Sequence, residues 1–173
     1  GVVTAGVKSY ADLEQNIGGI ETLFKDSADT VIANAKKAYE TAGMSANQYM
    51  ETVTSFSARL LQGLGGDTEK AAKIADMAVQ DMSDNANKMG TSIEMIQNAY
   101  QGFAKQNYTM LDNLKLGYGG TATEMARLIN DSGVLGDSMK VTAENVNNVS
   151  FDKMIEAIHV IQDRMGITGT TAK

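Results

Sequence analysis

The sequence predicts an all-α fold, a module of six to seven helices separated by glycine-rich turns. Proline is absent from all 173 residues, where an average usage of about 5% would place about nine, and helix interiors exclude proline most strongly. Apolar residues recur at steps of three and four through six segments, the period of a single helix face. Serine, threonine or aspartate opens most of these segments and glycine closes most of them, as expected of helix boundaries. Aromatic residues amount to only 6%, with no tryptophan, which leaves little from which to build a sheet.

A first short helix is expected from about Ser9, as N-cap, to Ile17, with Gly18-Gly19 stopping it. A longer one follows from Ile20, its face formed by Ile20, Phe24, Ala28, Val31, Ala35 and Tyr39, and Gly43 closes it. Ser45 with Gln48 makes a capping box ahead of Tyr49, Val53, Phe56, Leu60 and Leu64. Gly63, Gly65 and Gly66 break that pattern. Asp67 or Thr68 then caps a helix that buries Ala71, Ile74, Ala78, Met82, Ala86 and Met89 and ends at Gly90.

Thr91 with Glu94 forms a second capping box, before a helix with Ile93, Ile96, Tyr100 and Phe103 on one side. The stretch Tyr108 to Leu116 carries no clear period. After Gly117, Gly119 and Gly120, Thr121 with Glu124 supplies a third capping box, and Met125, Leu128 and Ile129 mark a short helix that runs to Gly133. Residues 134–149 read as irregular. The last helix starts near Ser150, presents Phe151, Met154, Ile158, Ile161 and Met165, and ends at Gly166. The core residues expected from these stripes are Tyr49, Val53, Phe56, Leu60, Ile74, Met82, Ile96, Tyr100, Phe103 and Ile158. A shift of 54 positions superposes Leu60 on Leu114, Gly63-Leu64-Gly65-Gly66 on Gly117-Tyr118-Gly119-Gly120, and Ile74 on Leu128; duplication and recurrent helix-turn-helix grammar both account for it. The whole of 1–173 reads as one helical module, best defined over 42–133, with a terminal helix at 150–166. Both ends read as cuts in a much longer polypeptide, with a tag remnant as the other source of Gly1.

A hydrophobic content of 43% with 21% charged residues is that of a folding chain. Cysteine is absent, which removes disulfides, thiolate metal sites and cysteine nucleophiles. A formal net charge of −6 works against binding to nucleic acid phosphates and to anionic membrane surfaces. No apolar run approaches the length of a membrane-spanning helix, and no signal peptide opens the chain.

Chemistry-bearing patterns are few. The two glycine turns lead into helix N-termini, where backbone N–H groups bind anions, but they match neither a dinucleotide fingerprint nor a phosphate loop and read as helix-breaking turns. The single histidine, His159, has Glu156 and Asp163 at helical spacing, yet no second histidine or cysteine completes a ligand set. Asp76, Asp81 and Asp84 lie beside or opposite the stripe of their helix, where a solvated charge is the ordinary role. A serine triad lacks its pattern. The eleven methionines suit a helical core, with an adaptable interaction surface as the other use. The chain therefore reads as non-enzymatic, with no cofactor and no metal.

The run from Ala42 to Thr121, and above all NYTMLDNLKLGYGGT from Asn107 to Thr121, closely resembles the core region of tail tape measure proteins of long-tailed bacteriophages and prophages. The resemblance extends to AIHVIQDRMGITGTTAK at 157–173 and is weaker over the first forty residues and around 134–149. It implies a largely helical structural protein that occupies the virion tail lumen, sets tail length while tube subunits polymerise around it, and leaves ahead of the genome to assist DNA ejection. The implied partners are tail tube and tail tip proteins, a tail assembly chaperone and other copies in a small oligomer, with host membrane contact after ejection; assembly takes place in the host bacterial cytoplasm. The matched region brings no catalytic residue. The recurrent glycine breaks describe a folded portion of such a protein rather than its extended ruler. The rival expectations are a cell-wall hydrolase module and a membrane-active module carried in the tail.

Overall fold

The computed structural model describes the backbone of residues 2–172 and the side chains of residues 11–172. The expectations that rest on Gly1 and on Lys173 fall outside that range, whereas the helix start expected at Ser9 does not hold, since helical backbone already begins at Val2. The chain is 71% helical, and no strand occurs among the described residues. The helices are α1 (Val2–Phe24), α2 (Ala28–Lys36), α3 (Ala38–Ala42), α4 (Ala46–Gly63), α5 (Thr68–Met89), α6 (Ile93–Ala104), α7 (Ala122–Ser132) and α8 (Phe151–Arg164). Short 3-10 turns lie at Lys25–Ser27, Leu111–Leu114 and Val146–Asn148. α3 is one turn that continues α2 past a break at Lys37, and together with the last turn of α1 the two take the place of the single helix expected from Ile20 to Gly43.

α5 is the central element: α1, α2, α3, α4, α6 and α8 all pack against it. Its alanines Ala71, Ala72, Ala75 and Ala78 are fully buried or nearly so, and small side chains let so many neighbours approach one helix axis. One hydrophobic cluster runs through the fold and includes Tyr49, Val53, Phe56, Leu60, Ile74, Met82, Ile96, Tyr100, Phe103 and Ile158, all buried. Of the methionines, Met44, Met50, Met82, Met125 and Met154 are buried, whereas Met95, Met110 and Met165 are exposed.

Several boundaries differ from the sequence expectation. α1 does not stop at Gly18-Gly19 but runs through both to Phe24. Gly19 faces α4, where a Cβ would stand 3.5 Å from Thr54 Cγ2, so close helix packing offsets a glycine cost of about 0.5–1 kcal/mol. The expected helix from Ile20 to Gly43 is interrupted at Lys25, with φ 48°, and again at Lys37. The second break shifts the helical phase, so Ala38 and Ala42 point inward while Tyr39, expected in the stripe, is 67% exposed. At the end of α8 the chain turns at Gly166, whose φ of 72° suits glycine. The Ile167 N–H donates to the Gln162 carbonyl at 2.9 Å, closing a Schellman-type turn. That turn buries Ile167 and leaves Met165, the expected stripe residue, 46% exposed.

The capping residues are Ser45, Asp67, Ser92 and Thr121, whose side chains accept from the N–H groups of Gln48, Lys70, Met95 and Glu124. The second capping box is thus displaced by one residue: Ser92, not Thr91, caps α6, and Thr91 donates its hydroxyl to the Asn113 carbonyl instead. Ser92→Ala is expected to cost about 1 kcal/mol, the usual value of a lost cap, and Thr91→Ala clearly less. Urea denaturation of both variants checks it, and a larger loss for Thr91→Ala would move the cap back.

Candidate functional site

The predicted chemical candidates resolve mostly into structural roles. At the first glycine turn the N-terminus of α5 is occupied by the Asp67 carboxylate, which repels an anionic ligand. At the second, Thr121 caps α7 and Glu124 reaches back to the Gly119 N–H at 3.2 Å. Glu124 also pairs with Arg127 at 2.6 Å, and that contact together with the Gly119 N–H holds its carboxyl down to about 2. Arg127 in turn covers the Tyr118 ring, 4.1 Å from its centroid. These N-termini are thus closed by the chain's own side chains.

The block Asn107 to Thr121 is built as a wedge rather than a cleft. Asn107 Oδ1 accepts from both the backbone N–H and the hydroxyl of Thr109, which shapes a tight turn. Leu111 and Leu114 are fully buried and Leu116 is 7% exposed, so the block inserts three leucines into the core. Tyr108 donates to Asn147 Oδ1 at 2.7 Å and ties the block to the irregular segment before α8. That segment is itself pinned by Asn130, whose amide exchanges two hydrogen bonds with the backbone of Val141.

The sequence reading missed a buried polar seam between α5 and α8. Asp81 and Asp84, expected on a solvated face, are 2% and 3% exposed, and Ser83 and Asn85 beside them are also buried. The reason is the central position of α5, which α8 covers on a side that the apolar stripe did not mark. Asp81 meets His159, with Nδ1 3.0 Å from each carboxylate oxygen. Asn85 donates to Gln162 Oε1 at 2.8 Å and to the Leu114 carbonyl at 2.9 Å, while Gln162 donates to the Asp81 carbonyl at 3.2 Å. Both oxygens of Asp84 accept backbone N–H groups, from Gly169 and Thr171, each at 2.8 Å. The one legible signal was spacing: Ile74, Ala78, Asp81 and Asn85 form a second stripe at steps of four, three and four.

The two carboxylates at helical spacing from His159 are engaged with other groups. Glu156 pairs with Lys153, Asp163 accepts from Thr168, and no group of three or more potential ligands gathers among the described residues. Asp76 accepts from the Tyr49 hydroxyl at 2.6 Å and from Gln80; burial first, and then the Asp76 charge, raises the Tyr49 phenol above its ordinary range. The Tyr100 hydroxyl and Asn85 Oδ1 are buried with no hydrogen-bond partner among the described residues, a cost usually of about 1–3 kcal/mol each. No helix among the described residues is long and apolar enough to cross a membrane. Comparison of the chain with protein-family models, with curated proteins and with solved structures finds no match in any of the three.

Proposed function

We propose that this chain is a helical structural module of a phage tail tape measure protein, with no active site of its own. The observation that carries the reading is the Asn107–Thr121 block: the stretch with the most specific resemblance to those proteins serves as a core wedge, its Leu111 and Leu114 fully buried. A motif kept for assembly architecture has this form, whereas a catalytic motif presents reactive groups to a cleft. Asp81 and Asp84, the most buried carboxylates near one another, are both engaged internally, which supports a structural role over a hydrolase. In this reading the module lies in the tail lumen, is handled by the assembly chaperone before the tube closes around it, and contacts tube or tip subunits and further copies of itself. Passage out ahead of the genome, with help to DNA ejection and contact with the host membrane, belongs to the same reading.

In-frame deletion of this segment from the phage gene tests it, with tail length measured by electron microscopy. A continuous helical ruler of 173 residues spans about 260 Å at about 1.5 Å per residue. A folded module contributes about the length of its longest helix: α1 has 23 residues, or about 35 Å. The deletion is expected either to block tail assembly or to shorten tails far less than proportionally. Viable tails shorter by the full helical amount would show that the segment acts as extended ruler, and tails of unchanged length and yield would remove it from tail assembly.

A further inference from the structure

Among the polar groups that join α8 and the segment after it to α5 is one side chain that exchanges a proton near neutral pH, His159 on Asp81. We propose that α8 and the strap of residues 167–172 form a latch on α5 that the protonated His159 side chain holds closed, so that the latch loosens as pH rises past neutrality while α4–α6 stay packed.

Asp81 is the buried half of the pair, its side chain 2% exposed, and His159 the accessible half, at 37%. The proton that decides the charge of the pair therefore exchanges with solvent at the edge of the seam. The other groups acting electrostatically on His159 are Asp163 from its own helix and Asp84 from α5, both acidic. From α6 the buried Tyr100 phenol faces Asp81. The remaining basic residues of α8 are committed elsewhere, Lys153 to Glu156 and Arg164 to the carbonyls of Asp131 and Ser132 at the end of α7. α4 and α7, which also pack on α8, contribute none of the groups that act on His159. His159 is thus the cation of a cluster that otherwise holds Asp81, Asp84 and Asp163. When it loses its proton, the three carboxylates face one another uncompensated. Asp84 is also the residue that grips the strap through Gly169 and Thr171, so the charge balance at His159 bears directly on strap closure.

The signs of both shifts agree. The hydrogen bond to Asp81 raises the His159 imidazole above its ordinary value, against an opposing effect of burial. Its contribution is complete below about 6.5 and is lost as pH rises through the higher folded value. Burial raises the Asp81 carboxyl, with His159 opposing, so this group too favours the proton-bound folded state. The seam is therefore tighter in mild acid than in mild alkali. His159 is the only histidine, which makes it the one side chain with an ordinary value inside that window.

Hydrogen exchange on the full chain at pH 6 and pH 8, corrected for intrinsic rates, tests the latch. Protection of amides in α8 and in residues 167–172 is expected to fall by about threefold to tenfold, with α4–α6 unchanged. His159→Gln retains an N–H donor without a titrating charge and should abolish the difference. Should that variant fail to fold, Asp81→Asn serves the same purpose. Unchanged α8 protection in the parent chain, an equal loss across α4–α6, or a pH difference that persists in the variant would each overturn the latch.

Discussion

Replacing Phe56 by alanine lowers the stability of this fold by about 3–5 kcal/mol, the usual cost of emptying a buried phenylalanine site. Phe56 is 2% exposed in mid-α4 and meets Phe151, the first residue of α8, edge-on with ring centroids 6.0 Å apart and planes at 74°. The substitution therefore leaves a cavity and also removes an aromatic contact between elements far apart in sequence. For a domain of this size the loss corresponds to about 6–20 °C in Tm. Arg59, three residues on, is partly exposed, and its side chain donates to Gln62 Oε1 at 3.3 Å. Arg59→Ala is expected to change stability by less than about 0.5 kcal/mol, as at ordinary surface positions. Thermal melts of both variants check the pair, and equal effects would mean that α4 does not present Phe56 to the core.

Gly120→Ala is expected to be of comparable severity for a different reason. A Cβ at Gly120 would lie 2.2 Å from the Thr109 carbonyl oxygen and 2.9 Å from its carbonyl carbon, and backbone atoms, unlike a side-chain tip, do not swing aside. Either the turn at Thr109 or the entry to α7 must move, which disturbs the wedge of Leu111 and Leu114. A cost of about 3 kcal/mol or more is expected, at the top of the overpacking range. Gly119→Ala is the control, since its Cβ meets nothing closer than Glu124 Cγ at 3.7 Å and its N–H still reaches Glu124. Urea denaturation that shows Gly119→Ala as costly as Gly120→Ala would refute the steric argument. It would leave a general intolerance of side chains in this turn.

The helices that were legible in the sequence are those whose signal is local. α4, α5, α7 and α8 each combine a three-four stripe with a glycine stop, α6 has the stripe but ends with Lys105 as its C-cap, and a capping side chain marks the start of all but α8. Each of those features acts within a few residues of itself. The wedge at 107–121 was recognisable by resemblance but not by period, because its leucines are buried from a 3-10 turn and coil, where no helical repeat exists to be read.

By itself the sequence determined that the chain is helical, where most helices begin and end, and that Tyr49, Val53, Phe56, Leu60, Ile96 and Phe103 face inward, because backbone hydrogen bonding and the three-four repeat are short-range. Tertiary structure alone decided the rest. α1 continues through Gly18-Gly19 because α4 lies against it, and the phase shift at Lys37 turns Tyr39 outward. Asp81 and Asp84 are buried because partners from residues 159–171 close over them. A charged side chain beside an apolar stripe is solvated or buried according to what packs across from it. That neighbour comes from another part of the chain, so no local pattern records it.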